Sequence, residues 1–177
     1  MEVWRLSVME SSLIGRLKDI FGELTGKNRI DRVDVVILKT MLMLAAVDGE
    51  IGDDEVEWFR ATAAKCRGYS GETFGTLWDA AVRSAGYLLL QTCFLDRKEL
   101  VAAFVKESER DFVGEIVIAL AADRARAFDR LERMASADGD YSDVERACIT
   151  ALSQKVKTVR EKLLDEHYPH AAKFDRH

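Results

Sequence analysis

The fold of this chain is decided by residues 31–55, which read DRVDVVILKTMLMLAAVDGEIGDDE. Apolar side chains recur there at intervals of three and four residues, which is the period of an α-helix, and few polar residues interrupt them. A helix that is apolar on nearly every side is typical of a buried position. We therefore expect a helix over residues 31–47 at the centre of the core, followed by an acidic turn and a new helix from about Asp53.

The rest of the chain has the same helical period and no sustained alternation of apolar and polar residues. The single proline of the sequence, Pro169, lies beyond the last helical pattern. The sequence predicts an all-α fold, a single-domain bundle of about seven helices within residues 1–177. Besides the central helix, the predicted helices cover about residues 13–25, 53–67, 72–93, a short stretch from 96, 111–137 and 143–168. Asp96 and Glu99 have the spacing of a capping box that opens the short one.

One short motif occurs twice. Residues 48–55 read DGEIGDDE, and residues 138–145 read DGDYSDVE, so the two copies share the pattern Asp-Gly-acid-x-small-Asp-x-Glu without a gap. Each copy follows one predicted helix and precedes another. The repeat predicts an internal duplication, with an N-terminal half over about residues 10–90 and a C-terminal half over about 91–168.

Helix capping alone explains part of this motif. Gly49 and Gly139 suit the left-handed backbone that follows a helix C-terminus. Ser142 with Glu145 three residues later has the spacing of a capping box, and the Gly52–Glu55 pair of the first copy is its weaker counterpart. A helix–turn–helix without any ligand is therefore one interpretation of the repeat.

Capping does not explain the acids that begin each copy. Asp48 and Asp138 lie near helix C-termini, where the helix dipole disfavours an anion, and neither Glu50 nor Asp140 is needed for a cap. Ten carboxylates lie in residues 48–57 and 138–145, whereas the other 21 acids and the 26 bases leave the rest of the chain at +5. Carboxylates this close repel one another unless a cation or a basic partner offsets their charge.

Oxygen ligands of this kind suit Ca²⁺, Mg²⁺ or Mn²⁺ rather than Zn²⁺. An EF-hand is excluded, because neither copy has glycine at the sixth position and the twelfth positions are Phe59 and Ile149.

The doubled motif in an all-helical chain resembles the TerB-like tellurite-resistance family, whose domain type also occurs in a DnaJ-like membrane co-chaperone. The resemblance extends over roughly residues 10–168. It implies a compact bundle formed by duplication, with acidic positions that bind a divalent cation. The second copy departs from the family pattern, since Asp140 replaces a glutamate and Val144 replaces an acid, and it offers fewer oxygens. The implied metal ligands are Asp48, Glu50, Glu55, Asp138, Asp140 and Glu145.

Other functional classes find less support. No nucleophile elbow, Gly-rich phosphate loop or acid–base pair is present, so we expect no enzyme activity. A net charge of −5 without aromatic residues among the bases argues against nucleic-acid binding. Residues 1–25 are too charged for a signal-peptide core, and no stretch is long and apolar enough to span a bilayer. These features predict a cytoplasmic protein, and the resemblance adds peripheral attachment at the inner membrane as an alternative.

Two hypotheses therefore remain. In the first, the duplicated acidic loops of a stress-response module bind a divalent cation. In the second, the loops are capped turns, and the domain is a protein-interaction scaffold that docks without metal on a membrane or cytoplasmic partner. For the basic side chains of the sixth predicted helix, a solvated face is favoured over a surface for anionic lipid or an acidic partner; these are Arg124, Arg126, Arg130 and Arg133. The three cysteines, Cys66, Cys93 and Cys148, are expected to be buried thiols.

Overall fold

The structure, a computed structural model, describes residues 32–49, 51–63, 71–137, 139 and 141–167. Throughout these ranges the chain forms helices and turns without a strand, which confirms the all-α prediction. The predicted helix over residues 13–25 lies outside them. The helices are α1 (Arg32–Ala45), α2 (Asp53–Ala63), α3 (Gly71–Gln91), α4 (Arg97–Ser108), a π-helical segment (Glu109–Val113), α5 (Gly114–Ile118), α6 (Ala121–Ala135) and α7 (Asp143–His167).

Helix α1 is the centre of the core, as its sequence predicts. Every side chain over residues 34–47 is buried, and α1 contacts each of the other helices. A helix surrounded in this way must be apolar on all sides, because no face of it meets water. The large side chains that fill the core around it include Phe59 from α2, Leu88 from α3 and Phe104 from α4.

The two buried charged residues of α1 are both paired. Asp34 accepts a hydrogen bond of 2.8 Å from the guanidinium of Arg130, and the guanidinium of Arg126 lies 3.8 Å away. Lys39 forms an ion pair with Asp111 of the π-helical segment. Charges buried this deeply are tolerated only when they are paired, so these contacts fix where α6 and the π-helical segment pack on α1.

The prediction of one helix over residues 111–137 is wrong. Helix α4 continues through the π-helical segment and α5 to Ile118. The chain is then extended at Ala119 and Leu120, with ψ of 157° and 154°, and α6 begins at Ala121. The guanidinium of Arg124 donates a hydrogen bond to the carbonyl of Ala119, which satisfies an acceptor at the break. Neither proline nor glycine marks this break, so helical periodicity gave no sign of it.

Helices α4 and α7 run side by side in the same direction. Arg97 at the start of α4 contacts Asp143 at the start of α7, and Glu109, just after α4, contacts Lys155 of α7. The two residues of each pair are the same number of positions apart in the sequence. Helices α4 and α7 therefore stay in one register from the first contact to the second.

Candidate functional site at the two acidic turns

The glycines of the two acidic turns have the same left-handed backbone conformation. Gly49 and Gly139 have positive φ, at 95° and 84°, which confirms the predicted left-handed glycines. The amide of Gly49 donates to the carbonyl of Ala46 at 3.4 Å, and the amide of Gly139 donates to the carbonyl of Ser136 at 3.2 Å. Each glycine therefore ends its helix in the same way.

The second turn closes with the predicted capping box. The carboxylate of Glu145 accepts hydrogen bonds from the amide of Ser142 at 3.0 Å and from its hydroxyl at 2.8 Å. In return, the amide of Glu145 donates to the Ser142 hydroxyl at 3.3 Å. These reciprocal bonds satisfy donors that the start of α7 would otherwise leave without a partner.

The first turn has half of this arrangement. The carboxylate of Glu55 accepts a hydrogen bond of 2.8 Å from the amide of Gly52, which has no side chain to return one. The capping glutamates of both turns are nonetheless buried, Glu55 to 5% exposure and Glu145 to 2%. Both glutamates are therefore part of the structure of their turns, whatever else they bind.

These positions bear directly on the predicted metal ligands. Glu55 and Glu145 are buried against the backbone of their own turns, whereas Asp48 is exposed at the end of α1. Glu50, Asp138 and Asp140 lie outside the described residues. Across the described part of the chain, no three His, Cys, Asp or Glu side chains come together in a group suited to a metal ion. With half of the proposed ligands outside that part, the cation site stays a prediction.

Basic side chains border the second turn. Arg97 of α4 donates a hydrogen bond of 2.8 Å to the backbone carbonyl of Asp143 and lies 3.5 Å from its carboxylate. The guanidinium of Arg146 stacks over the ring of Tyr141 at 4.9 Å from the centroid. Burial raises the pKa of Tyr141, and the carboxylates of Glu132 and Glu145 raise it further against the opposing effect of Arg146. Protein bases thus offset part of the charge of this turn.

The cysteines behave differently from one another. Cys148, one turn into α7 from the capping box, is fully buried as predicted. Burial raises the pKa of its thiol to about 12, and the Glu145 carboxylate adds to this effect. The prediction is wrong for Cys93, which is exposed because it lies in the turn after α3 has ended. Cys66 lies outside the described residues.

The connection between α3 and α4 joins the two acidic turns into one surface, which we call the acidic end. A Cβ placed on Gly49 would lie 3.4 Å from the hydroxyl oxygen of Thr92, so the first turn rests on the beginning of this connection. Arg97, at its other end, contacts the second turn. Between them Phe94 is 74% exposed. The exposed carboxylates of the two turns and of the beginnings of the three helices beside them, α2, α4 and α7, are Asp48, Asp53, Asp54, Glu57, Asp96, Glu99 and Asp143.

Sequence reasoning missed Phe94 and Arg97. Both lie about 45 residues from the second turn along the chain, so no local pattern joins them to the repeat. The signal that was present is the capping box of α4, in which Asp96 and Glu99 exchange hydrogen bonds of 2.9 and 3.0 Å. It fixes where α4 begins and therefore which way Arg97 points.

The arginines of α6 are largely engaged within the chain. Arg126 and Arg130 contact Asp34, Arg133 binds Asp129 at 3.0 Å, and Arg124 binds the carbonyl of Ala119. This pairing accounts for the basic residues of the helix without an external anion.

Comparison with protein-family models, curated proteins and solved structures found no match to this chain. The resemblance to the TerB-like family therefore rests on the two acidic turns and their helical context. In the described ranges, no helix combines the length and the apolar character that crossing a bilayer requires.

Proposed function

We propose that this chain is a non-catalytic interaction module whose acidic end binds a basic segment of a partner protein. The observation that carries this proposal is the connection between α3 and α4. It borders both acidic turns and leaves Phe94 exposed between them. In this arrangement Phe94 is the central apolar contact, and the surrounding carboxylates select a basic partner.

The physical case rests on what the turns already do for the fold. Because Glu55 and Glu145 cap α2 and α7, the turns hold a defined shape before any partner arrives. A preformed surface loses little conformational entropy on binding. Its carboxylates accelerate the encounter with a basic partner, and an exposed aromatic side chain is a common energetic centre of an interface.

The family resemblance extends this proposal. On that resemblance, the module is TerB-like, acts in a stress response in the cytoplasm, and binds either a cytoplasmic protein or a membrane protein that holds it at the inner membrane. Two features common to the turns support this assignment: each has a left-handed glycine, and each has a glutamate that accepts a hydrogen bond from the amide three residues before it.

A divalent cation is the second candidate ligand, and the first turn is the better place for it. Asp48, Asp53 and Asp54 are all exposed there within a few residues of one another. We propose Ca²⁺, Mg²⁺ or Mn²⁺, with Asp48 and Glu50 as the principal ligands of the first turn. In the second turn the proposed ligands are Asp138 and Asp140, and Arg97 already offsets part of the charge of that turn at Asp143.

The interaction proposal is tested by site-specific photo-cross-linking in the cells that produce the protein. A photoreactive phenylalanine analogue replaces Phe94 in one variant and Ile118 in the control, because Ile118 is equally exposed, at 75%, but far from the turns. We expect a discrete adduct with a protein only from position 94. That adduct should disappear when Asp53, Asp54 and Glu57 are neutralised and should persist in chelator. Equal adducts from both positions, or none from position 94, would contradict the proposal.

The cation candidate is tested separately by the thermal midpoint of chelator-stripped protein against graded Ca²⁺, Mg²⁺ and Mn²⁺. A ligand present at about 100 times its Kd stabilises the folded state by about 2.7 kcal/mol. A saturable rise for one ion that is lost in Asp48→Asn would establish a site at the first turn. A flat response to all three ions would remove this candidate and leave the acidic end as a protein-binding surface.

A further inference from the structure

A groove of about 470 Å³ runs along the outer side of the molecule between α4 and α7. The acidic end is rich in charged side chains, whereas the surface that lines this groove is mostly apolar. Val101, Ala102 and Val105 of α4 form one wall, and Ala151 and Thr158 of α7 form the other.

Helix α4 has apolar side chains both in the core and along the groove. Leu100 and Phe104 are the apolar side chains that α4 buries in the core. Val101 and Val105 are only half-buried, and Ala102 is exposed. Val101 and Val105 pack at the edge of the core, and together with Ala102 they leave a partly exposed apolar stripe beside α7. Such exposed apolar patches are typical of binding surfaces.

Lysines border this stripe. Lys98 and Lys106 lie at the groove, are exposed, and have no acidic partner among the described residues. Lys155 differs, because it pairs with Glu109 at 2.8 Å and so ties α7 to the end of α4. The groove therefore presents two cations that the fold does not use.

The dimensions fit a helix. The groove follows α4 from Lys98 to Glu109, which corresponds to about 16 Å, or roughly three helical turns. Lys98 and Lys106 are about 12 Å apart along the helix axis, so a helix lying in the groove can place one acidic side chain near each. Helices that bind in grooves typically insert apolar residues at intervals of three and four.

We propose that the groove between α4 and α7 binds an amphipathic helix of a partner protein. Its apolar face contacts Val101, Val105 and Ala151, and acidic side chains on its flanks pair with Lys98 and Lys106. This surface adjoins the acidic end at the start of α4 but selects the opposite charge. The proposal therefore does not depend on the one made for Phe94.

The test uses two fluorescent peptides of 14 residues, both with leucines at intervals of three and four. One carries glutamate at the flanking positions and the other carries lysine. Fluorescence anisotropy measures the Kd of each peptide for the wild-type protein, for Lys98→Glu/Lys106→Glu, and for Lys157→Glu/Lys162→Glu. The last variant is a matched control, because it has the same change of charge at exposed positions of α7 that do not line the groove.

We expect the glutamate peptide to bind the wild-type protein at least ten-fold more tightly than the lysine peptide. The groove variant should reverse this preference, and the control variant should retain it, with the thermal midpoint of both unchanged. A Val105→Asp variant should weaken both peptides, because the charge lies in the apolar floor.

Several results would overturn the proposal. These are no binding of the glutamate peptide, equal Kd values for the two peptides, or an equal loss in the control variant. Concentration-dependent self-association lost in the groove variant would instead assign the groove to a second copy. Binding to anionic vesicles but not to the peptides would assign it to lipid.

Discussion

The two acidic turns share a backbone but differ in their neighbours. Both have a left-handed glycine and a buried glutamate that caps the next helix. The first turn begins its helix with Gly52 and has three acids in the first helical turn, whereas the second begins with Ser142 and has two. In the described contacts, Arg97 and Arg146 border the second turn and not the first. A few residues thus specify the conformation, and distant parts of the chain decide how much charge it presents.

This difference assigns different roles to the two turns. The second is the better capped and the more neutralised, so its contribution is mainly to stability. The first is the less completely capped and carries more exposed carboxylates, so it is the better candidate for binding. The following predictions test this division, beginning with the largest effect.

Removing the capping glutamates should destabilise the second turn more than the first. Glu145→Ala leaves the amide and the hydroxyl of the half-buried Ser142 without their acceptor and empties the buried site of the carboxylate. We expect a loss of about 2–3 kcal/mol in the free energy of unfolding. Glu55→Ala removes the acceptor of the Gly52 amide and should cost about 1–2 kcal/mol. Urea denaturation measures both. A larger loss for Glu55→Ala would reverse the assigned roles.

The two glycines should be equally sensitive to substitution. Gly49→Ala and Gly139→Ala each force a side chain into a left-handed backbone, which costs about 1–2 kcal/mol. The new Cβ makes only an ordinary contact with Thr92 at position 49 and meets no atom within 4 Å at position 139, so the cost is conformational at both. Gly86→Ala is the control, because Gly86 is helical with open space around it and alanine should stabilise that helix. Thermal melts that separate the two turns by more than 1 kcal/mol would show that their backbones are not equivalent.

The free energy of unfolding should also depend on pH, through Cys148 in the helix that follows the second turn. The matching position after the first turn is Trp58, which does not titrate. Below pH 9 the thiol is protonated in both states, and its contribution to stability is complete. Above pH 9 the unfolded thiol ionises while the folded one keeps its proton to about pH 12, so the free energy of unfolding falls by about 1.4 kcal/mol per pH unit.

Denaturation of wild type and Cys148→Val between pH 8 and about 10.5 isolates this slope, since lysines and tyrosines titrate in both proteins. Cys93→Ala serves as the control because Cys93 is exposed. If Cys148→Val keeps the wild-type slope, the thiol is not the titrating group.

Exchanging the residues that begin the two helices should have the smallest effect. Ser142→Gly removes a side-chain cap and its bond to Glu145, and it should cost about 0.5–1 kcal/mol. Gly52→Ser offers the first turn the same cap and should stabilise it by a few tenths of a kcal/mol. Paired urea titrations measure the exchange. No gain at position 52 would mean that the first turn cannot accept the geometry of the second.

Local patterns predicted the parts of this structure that local physics determines. The period of α1 predicted a central helix, and the spacings of Ser142–Glu145 and Asp96–Glu99 predicted caps that the hydrogen bonds confirm. The exposure of Phe94 and the contact of Arg97 with the second turn depend on how helices pack, and no short pattern carries that information. The break at Ala119 and Leu120 was missed for a related reason, since alanine and leucine are good helix formers and only the surrounding packing stops the helix there.

The π-helical segment has a consequence for the side-chain order of the long helix that contains it. Buried residues follow one another at every fourth position there: Leu100, Phe104, Ser108, Phe112 and Ile116. In a regular α-helix each step of four overshoots a full turn by roughly 40°, so the fourth step would carry the last residue roughly 160° away from the first. The wider winding at Glu109–Val113 takes back part of that rotation. The segment thus keeps Ile116 on the buried side, since winding the same residues as a regular α-helix would turn Ile116 from the core toward water.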